Sequence, residues 1–69
     1  MRKEIEIRTP FIRLGDLLKF AAMVSGGGEA KMVIAEGLVK VNGEVCTMRG
    51  KKLVSGDAVC FAGEELVVK

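Results

Sequence analysis

Two short stretches of this chain have the residue types that hold phosphate. Gly27-Gly28-Glu29-Ala30-Lys31 follows a glycine-rich break, and Arg49-Gly50-Lys51-Lys52 is a compact basic cluster. Glycines opening a helix leave backbone N–H groups exposed to an anion, and the helix dipole adds partial positive charge there. Lys31 and Lys40 could neutralise phosphates from a helix and a strand, while Arg49, Lys51 and Lys52 grip an adjacent backbone segment. The candidate binding residues are therefore Gly27, Gly28, Lys31, Lys40, Arg49, Lys51 and Lys52. The competing structural readings are a tight turn between packed helices and a solvated basic loop. A nucleotide-binding loop is disfavoured, because Gly26-Gly27-Gly28 follows a helix and lacks the Gly-x-x-x-x-Gly-Lys spacing.

The charge distribution supports a polyanion. Net charge is only +2. Between Lys31 and Lys52, however, five basic residues face only Glu36 and Glu44, and the tail after Leu53 carries Asp57, Glu64 and Glu65 against Lys69. Such asymmetry is expected where one face meets a polyanion. Phe11, Phe20 and Phe61 are the only aromatics and all lie among apolar residues. Single-strand binders stack bases on exposed aromatics, so this pattern favours folded RNA held by shape and phosphate.

Catalysis finds no support. There is no His, and Cys46 and Cys60 have no activating neighbour. Two cysteines without His also fit no zinc site, and both are expected as buried, reduced thiols in a reducing compartment. No apolar run approaches membrane length, so a soluble cytoplasmic protein is expected. At 69 residues the chain is read as one domain, 1–69, too small to enclose a substrate pocket. No metal, cofactor or small-molecule substrate is expected.

The elements that position these residues follow from periodicity. Glu4–Arg8 alternates as a strand. Thr9-Pro10 reads as a cap and first helical residue for a helix over Phe11–Met23, with Phe11, Leu14, Leu18 and Ala21 on its buried stripe and Leu17 widening it. Gly15 inside that helix suggests close packing. A second helix over Gly28–Glu36 would bury Ala30, Val33 and Ile34 and stop at Gly37. With Gly26 as cap, Glu29 could reach back to the cap N–H. Beyond lie strands at Leu38–Val41, Glu44–Cys46, Lys51–Val54, Ala58–Phe61 and Leu66–Val68, with an Asn42-Gly43 hairpin turn and a Ser55-Gly56-Asp57 turn. The fold class is α+β: a helix-turn-helix-like pair on a small, mostly antiparallel sheet.

Arg13-Leu14, Leu18, Ala30, Val33-Ile34, Gly37, Val39, Val41-Asn42-Gly43 and Gly56-Asp57, together spanning about Ile12 to Phe61, resemble the RNA-binding domain of the ribosomal protein S-four type. Gly27-Gly28-Glu29-Ala30-Lys31 and Arg49-Gly50-Lys51-Lys52 are similar to its free-standing bacterial subgroup. The chain departs from the wider family at Gly26 and Gly27, where Ser-Arg is usual, and at Gly15, where Asp is usual. The resemblance implies an alpha-L motif and non-catalytic binding of structured RNA, ribosomal or transfer RNA in class, with the ribosome or its assembly intermediates as a further partner. The alternative is a protein-interaction adaptor of a ribosome-associated assembly.

Overall fold

The computed structural model describes residues 2–69; Met1 lies outside the described residues. The chain runs β1 (Arg2–Ile5), β2 (Ile12–Arg13), α1 (Leu14–Phe20), α2 (Gly27–Ala35), β3 (Lys40–Val41), β4 (Glu44–Val45), β5 (Lys52–Leu53), β6 (Ala58–Phe61) and β7 (Glu64–Val68). One sheet has the order β1-β7-β6-β3-β4, and β2 pairs with β5 in a second, two-stranded sheet. All pairings are antiparallel except β1 with β7. The architecture is α+β, two helices packed on a mostly antiparallel sheet.

Leu14, Leu17 and Leu18 of α1 and Ala30, Val33 and Ile34 of α2 meet Val41, Val59, Leu66 and Val68 of the large sheet in one core. Leu53 of β5 joins them, as do Val24 and Val39. The helical stripe read from the sequence thus faces the sheet. Strand alternation sends the intervening residues outward: Lys40 is exposed between buried Val39 and Val41, and its cross-strand partners Val45 and Cys60 are exposed too.

Helix α1 is shorter at both ends than its periodicity suggests. Thr9 does not cap it; its hydroxyl donates to the Phe11 carbonyl at 2.7 Å. Ile12 and Arg13 instead pair with Leu53 and Lys52. The first helical N–H groups, of Leu14 and Gly15, donate to the carbonyls of Lys51 and Arg49 at 2.9 and 3.0 Å. A tertiary partner far along the chain therefore replaces the side-chain cap. At the other end, Ala22 adopts φ +58, and the Met23 and Ala22 N–H groups return to Leu18 and Lys19. This is the same stop that Gly37 gives α2, made without glycine. Other boundaries move less. The first strand lies at Arg2–Ile5 rather than Glu4–Arg8, and the strand expected at Lys51–Val54 leaves the main sheet to pair with β2.

Helix α2 opens at extended Gly26. Glu29 reaches back one residue further than expected: its carboxylate accepts from the N–H and hydroxyl of Ser25, at 2.7 and 2.8 Å, and not from Gly26. These bonds, the backbone one first, hold the Glu29 carboxyl below its usual range. The Asn42-Gly43 turn has positive φ at both positions, as the hairpin requires.

Candidate nucleic-acid interface

The short turn at Arg49-Gly50 is held against α1 by the two carbonyls that receive its first N–H groups. An ideal Cβ on Gly15 would lie 3.6 Å from the Arg49 carbonyl oxygen, so the loop touches the helix without requiring glycine there. This docking brings Arg49 beside Arg13, the residue preceding α1. The two helices, packed on one another, bring the start of α2 to the same place.

The result is a shallow, open depression of about 230 Å³, lined by Arg13, Gly15, Asp16, Lys19, Gly27, Ala30, Arg49 and Gly50. Its electrostatics are unbalanced. Arg13, Lys19 and Arg49 face a single carboxylate, Asp16. Asp16 is paired with Lys19 at 3.4 Å, and no carboxylate among the described residues comes within ion-pair distance of Arg13 or Arg49. The Lys19 ammonium lies 4.0 Å from where a Gly27 Cβ would be, over the positive end of α2. A cation is unfavourable beside a helix N-terminus unless an anion joins it. The N–H groups of Gly27, Gly28 and Glu29 have no acceptor among the described residues. The chemistry of this hollow is that of an anion receptor.

The expected binding residues are distributed unevenly around it. Gly27 and Arg49 line the hollow. Gly28 is exposed at the next helical position, and Lys31 is exposed four residues beyond Gly27, so it flanks the hollow on the same helix face. Lys51 lines a different depression, with Val41, Glu44, Val45, Cys46, Thr47 and Met48. Lys52 is exposed and holds its ammonium 4.8 Å from the Phe11 ring centroid. Lys40 projects from the outer face of the sheet, away from the helices. Arg13 and Lys19 were not among the candidates. Arg13 precedes the helix and Lys19 falls off its buried stripe, a signal readable only once Gly27 is known to lie alongside.

Two sequence expectations need correction. Phe20 is not buried among apolar residues: it is 65% exposed at the end of α1. An exposed aromatic is therefore present, and the aromatic pattern no longer favours folded RNA over stacked bases. The cysteines are free, but Cys60 is exposed on the outer sheet face and Cys46 is only half-buried. Cys60 alternates outward with Lys40 because its neighbours Val59 and Phe61 turn toward the core. Among the described residues no helix is long and apolar enough to cross a membrane.

The Asn42 and Asp57 motif residues have a separate task. Asn42 donates its amide to Asp57 at 3.2 Å and accepts from the Ala58 N–H at 2.9 Å. The other Asp57 oxygen accepts from the Val54 N–H at 2.9 Å. The Val54 bond, then the Asn42 bond, with Lys51 adding a favourable charge, hold the Asp57 carboxyl below its usual range. These residues tie the β3–β4 hairpin to the turn before β6.

The fold and this helix-pair surface define a small module of the alpha-L type. Residues 5–69 match the S4 domain family, and the chain belongs to it. A protein of Escherichia coli strain K12, named "Putative RNA-binding protein YbcJ", is 46% identical over 59 residues, covering 86% of this chain and 84% of its own length. A Bacillus subtilis strain 168 protein, named "Probable ribosome maturation protein RlbA", is 43% identical over 63 residues, covering 91% and 89%. The solution structure of Escherichia coli YbcJ, described as revealing an αL motif involved in RNA-binding, superposes with a TM-score of 0.68 at 40% identity over 97% of this chain and 84% of that one.

Proposed function

We propose that this chain, 1–69, acts as one RNA-binding domain that grips the phosphate backbone of structured RNA and performs no reaction itself. The observation that carries this reading is the convergence of Arg13, Lys19 and Arg49 on the N-terminus of α2, against Asp16 alone. Guanidinium groups give phosphate oxygens paired donors, and the Gly27 and Gly28 N–H groups add fixed ones. Lys31, Lys51 and Lys52 extend the contact along neighbouring phosphates. Lys40, on the outer sheet face, meets only a peripheral strand of a large RNA. The RNA-binding description of YbcJ supports this reading. The ribosome maturation name of RlbA supports ribosomal RNA, on the ribosome or its assembly intermediates, over transfer RNA.

The test is fluorescence anisotropy of a labelled folded hairpin and a matched unstructured strand at two salt concentrations. Three to five neutralised phosphates predict a log–log salt slope of roughly −2 to −5. Binding that prefers the hairpin and weakens with salt supports the proposal; no binding at low salt sinks it. A second reading, a ribosome-associated protein adaptor, is favoured by exposed Val45 and Met48 near the free β4 edge. It predicts a protein partner captured with little salt dependence.

A further inference from the structure

A second depression, of about 550 Å³, is lined by Glu6, Ile7, Arg8, Thr9, Ile12 and Phe20. Ile7 and Ile12, both packed partly against the core, are its apolar aliphatic lining. Phe20 forms a wall and is 65% exposed, although Leu17 and Leu18 in the same helix are fully buried. A large aromatic ring left in water forgoes its burial energy, and no core contact accounts for it. Arg8 stands at the rim, exposed, with no carboxylate within ion-pair distance among the described residues.

The two depressions are lined by neighbouring residues of the chain. Ile12 lines the apolar one and Arg13 the cationic one; Lys19 lines the cationic one and Phe20 the apolar one. Each pair is consecutive in sequence, with Cα atoms about 3.8 Å apart and side chains diverging into the two depressions, so a ligand that reaches both must turn around this stretch of backbone. A ligand that fills both must have an anionic group and, close by, a flat apolar one. A nucleotide has that form. Aromatic rings beside cationic grooves are how proteins hold unpaired bases, and an arginine at the rim adds a cationic plane. Glu6 and Thr9 leave polar groups for the edge of the base.

We propose that this depression takes an unpaired nucleobase of the bound RNA, stacked on Phe20, while the preceding or following phosphate occupies the hollow of Arg13, Lys19 and Arg49. The inference rests on the RNA reading above and sharpens it: the preferred target is a folded RNA with a bulged or flanking unpaired nucleotide, not a fully paired helix.

The test uses the full chain and three labelled hairpins: fully paired, with one unpaired adenosine, and with the same bulge made abasic. The wild type should bind the adenosine bulge roughly tenfold more tightly than the other two. Phe20→Ala should bind all three alike, at the level of the paired hairpin, and Phe20→Tyr should restore the preference. Loss of the base and loss of the ring should not add, because each removes the same stack. Equal wild-type affinity for all three hairpins overturns the stacking site while leaving the phosphate reading intact. Weakening of all three by Phe20→Ala also overturns it, because the ring would then be structural. Failure of the wild type to bind any hairpin overturns both readings. Sedimentation of the protein alone completes the test: a dimer that Phe20→Ala dissolves would mean that a second copy covers the ring.

Discussion

The Asn42–Asp57 cluster and the Arg13–Lys19–Arg49 hollow are both polar, but they use their polarity in opposite ways. In the first, the Asn42 side chain both donates and accepts, and both Asp57 oxygens accept, across a hairpin and a turn that sequence alone leaves apart. That polarity is consumed in holding the fold. In the second, Arg13 and Arg49 have no carboxylate partner among the described residues, and Lys19 adds a cation over the positive end of α2. Among the described residues no ion pair of Arg13 or Arg49 holds the fold together, and the proposed phosphate grip uses those two charges. The most motif-like residues, Val41-Asn42-Gly43 and Gly56-Asp57, thus explain why the domain folds, while the less conspicuous charges around α1 explain what it can hold.

Substitutions can break this division. The double change Arg13→Glu and Arg49→Glu should weaken hairpin binding by roughly 100-fold or more, since each removes a charge-assisted contact and adds repulsion. Its urea midpoint should stay that of the wild type, since both side chains are exposed. Asn42→Ala should do the reverse. It removes the amide bonds and places Ala at φ +52, costing roughly 1–3 kcal/mol in urea unfolding, with hairpin affinity unchanged in the folded protein.

Acid should act on stability through two carboxylates that accept hydrogen bonds within the fold, Asp57 and Glu29. The folded Asp57 carboxyl lies below its ordinary value of 3.8, so the unfolded chain takes up the proton first. Its contribution to stability is therefore complete above that pH and is lost as pH falls below it. Glu29, also lowered, adds a similar loss below its ordinary 4.5. Urea midpoints measured between neutral pH and about pH 2.5 should fall at the acid end, and Asp57→Asn should flatten that fall. The smallest effect expected is at Ala22, whose left-handed φ of +58 closes α1. Ala22→Gly should raise stability by about 0.5–1 kcal/mol, the relieved strain offset in part by chain entropy, and leave RNA binding alone.

Much of this division was legible in the sequence, for physical reasons. The buried stripes Leu14-Leu17-Leu18 and Ala30-Val33-Ile34, the Gly37 stop and the Asn42-Gly43 turn are local, and each appears where its pattern put it. The start of α1 was not legible, because its caps are the carbonyls of Arg49 and Lys51. The Ala22 stop lacks the glycine that would announce it. The hollow was half legible: Gly27 and Arg49 carry a local signal, but Arg13 and Lys19 join them only through helix packing and loop docking. Lys40 was grouped with them on charge alone, and strand alternation sends it to the other side of the sheet. Phe20 looked buried because its neighbours are apolar, yet the helix ends there with the ring facing water.

The most direct test of the central claim is a titration of the isotope-labelled chain with a folded RNA hairpin, following each backbone amide by NMR. Shifts should concentrate at Arg13, Gly27, Gly28, Arg49 and Gly50, and the amides of Asn42, Asp57 and Ala58 should stay in place. Shifts centred instead on Lys40, Cys60 and Val67 of the outer sheet face, with Gly27 and Arg49 unmoved, would contradict the account.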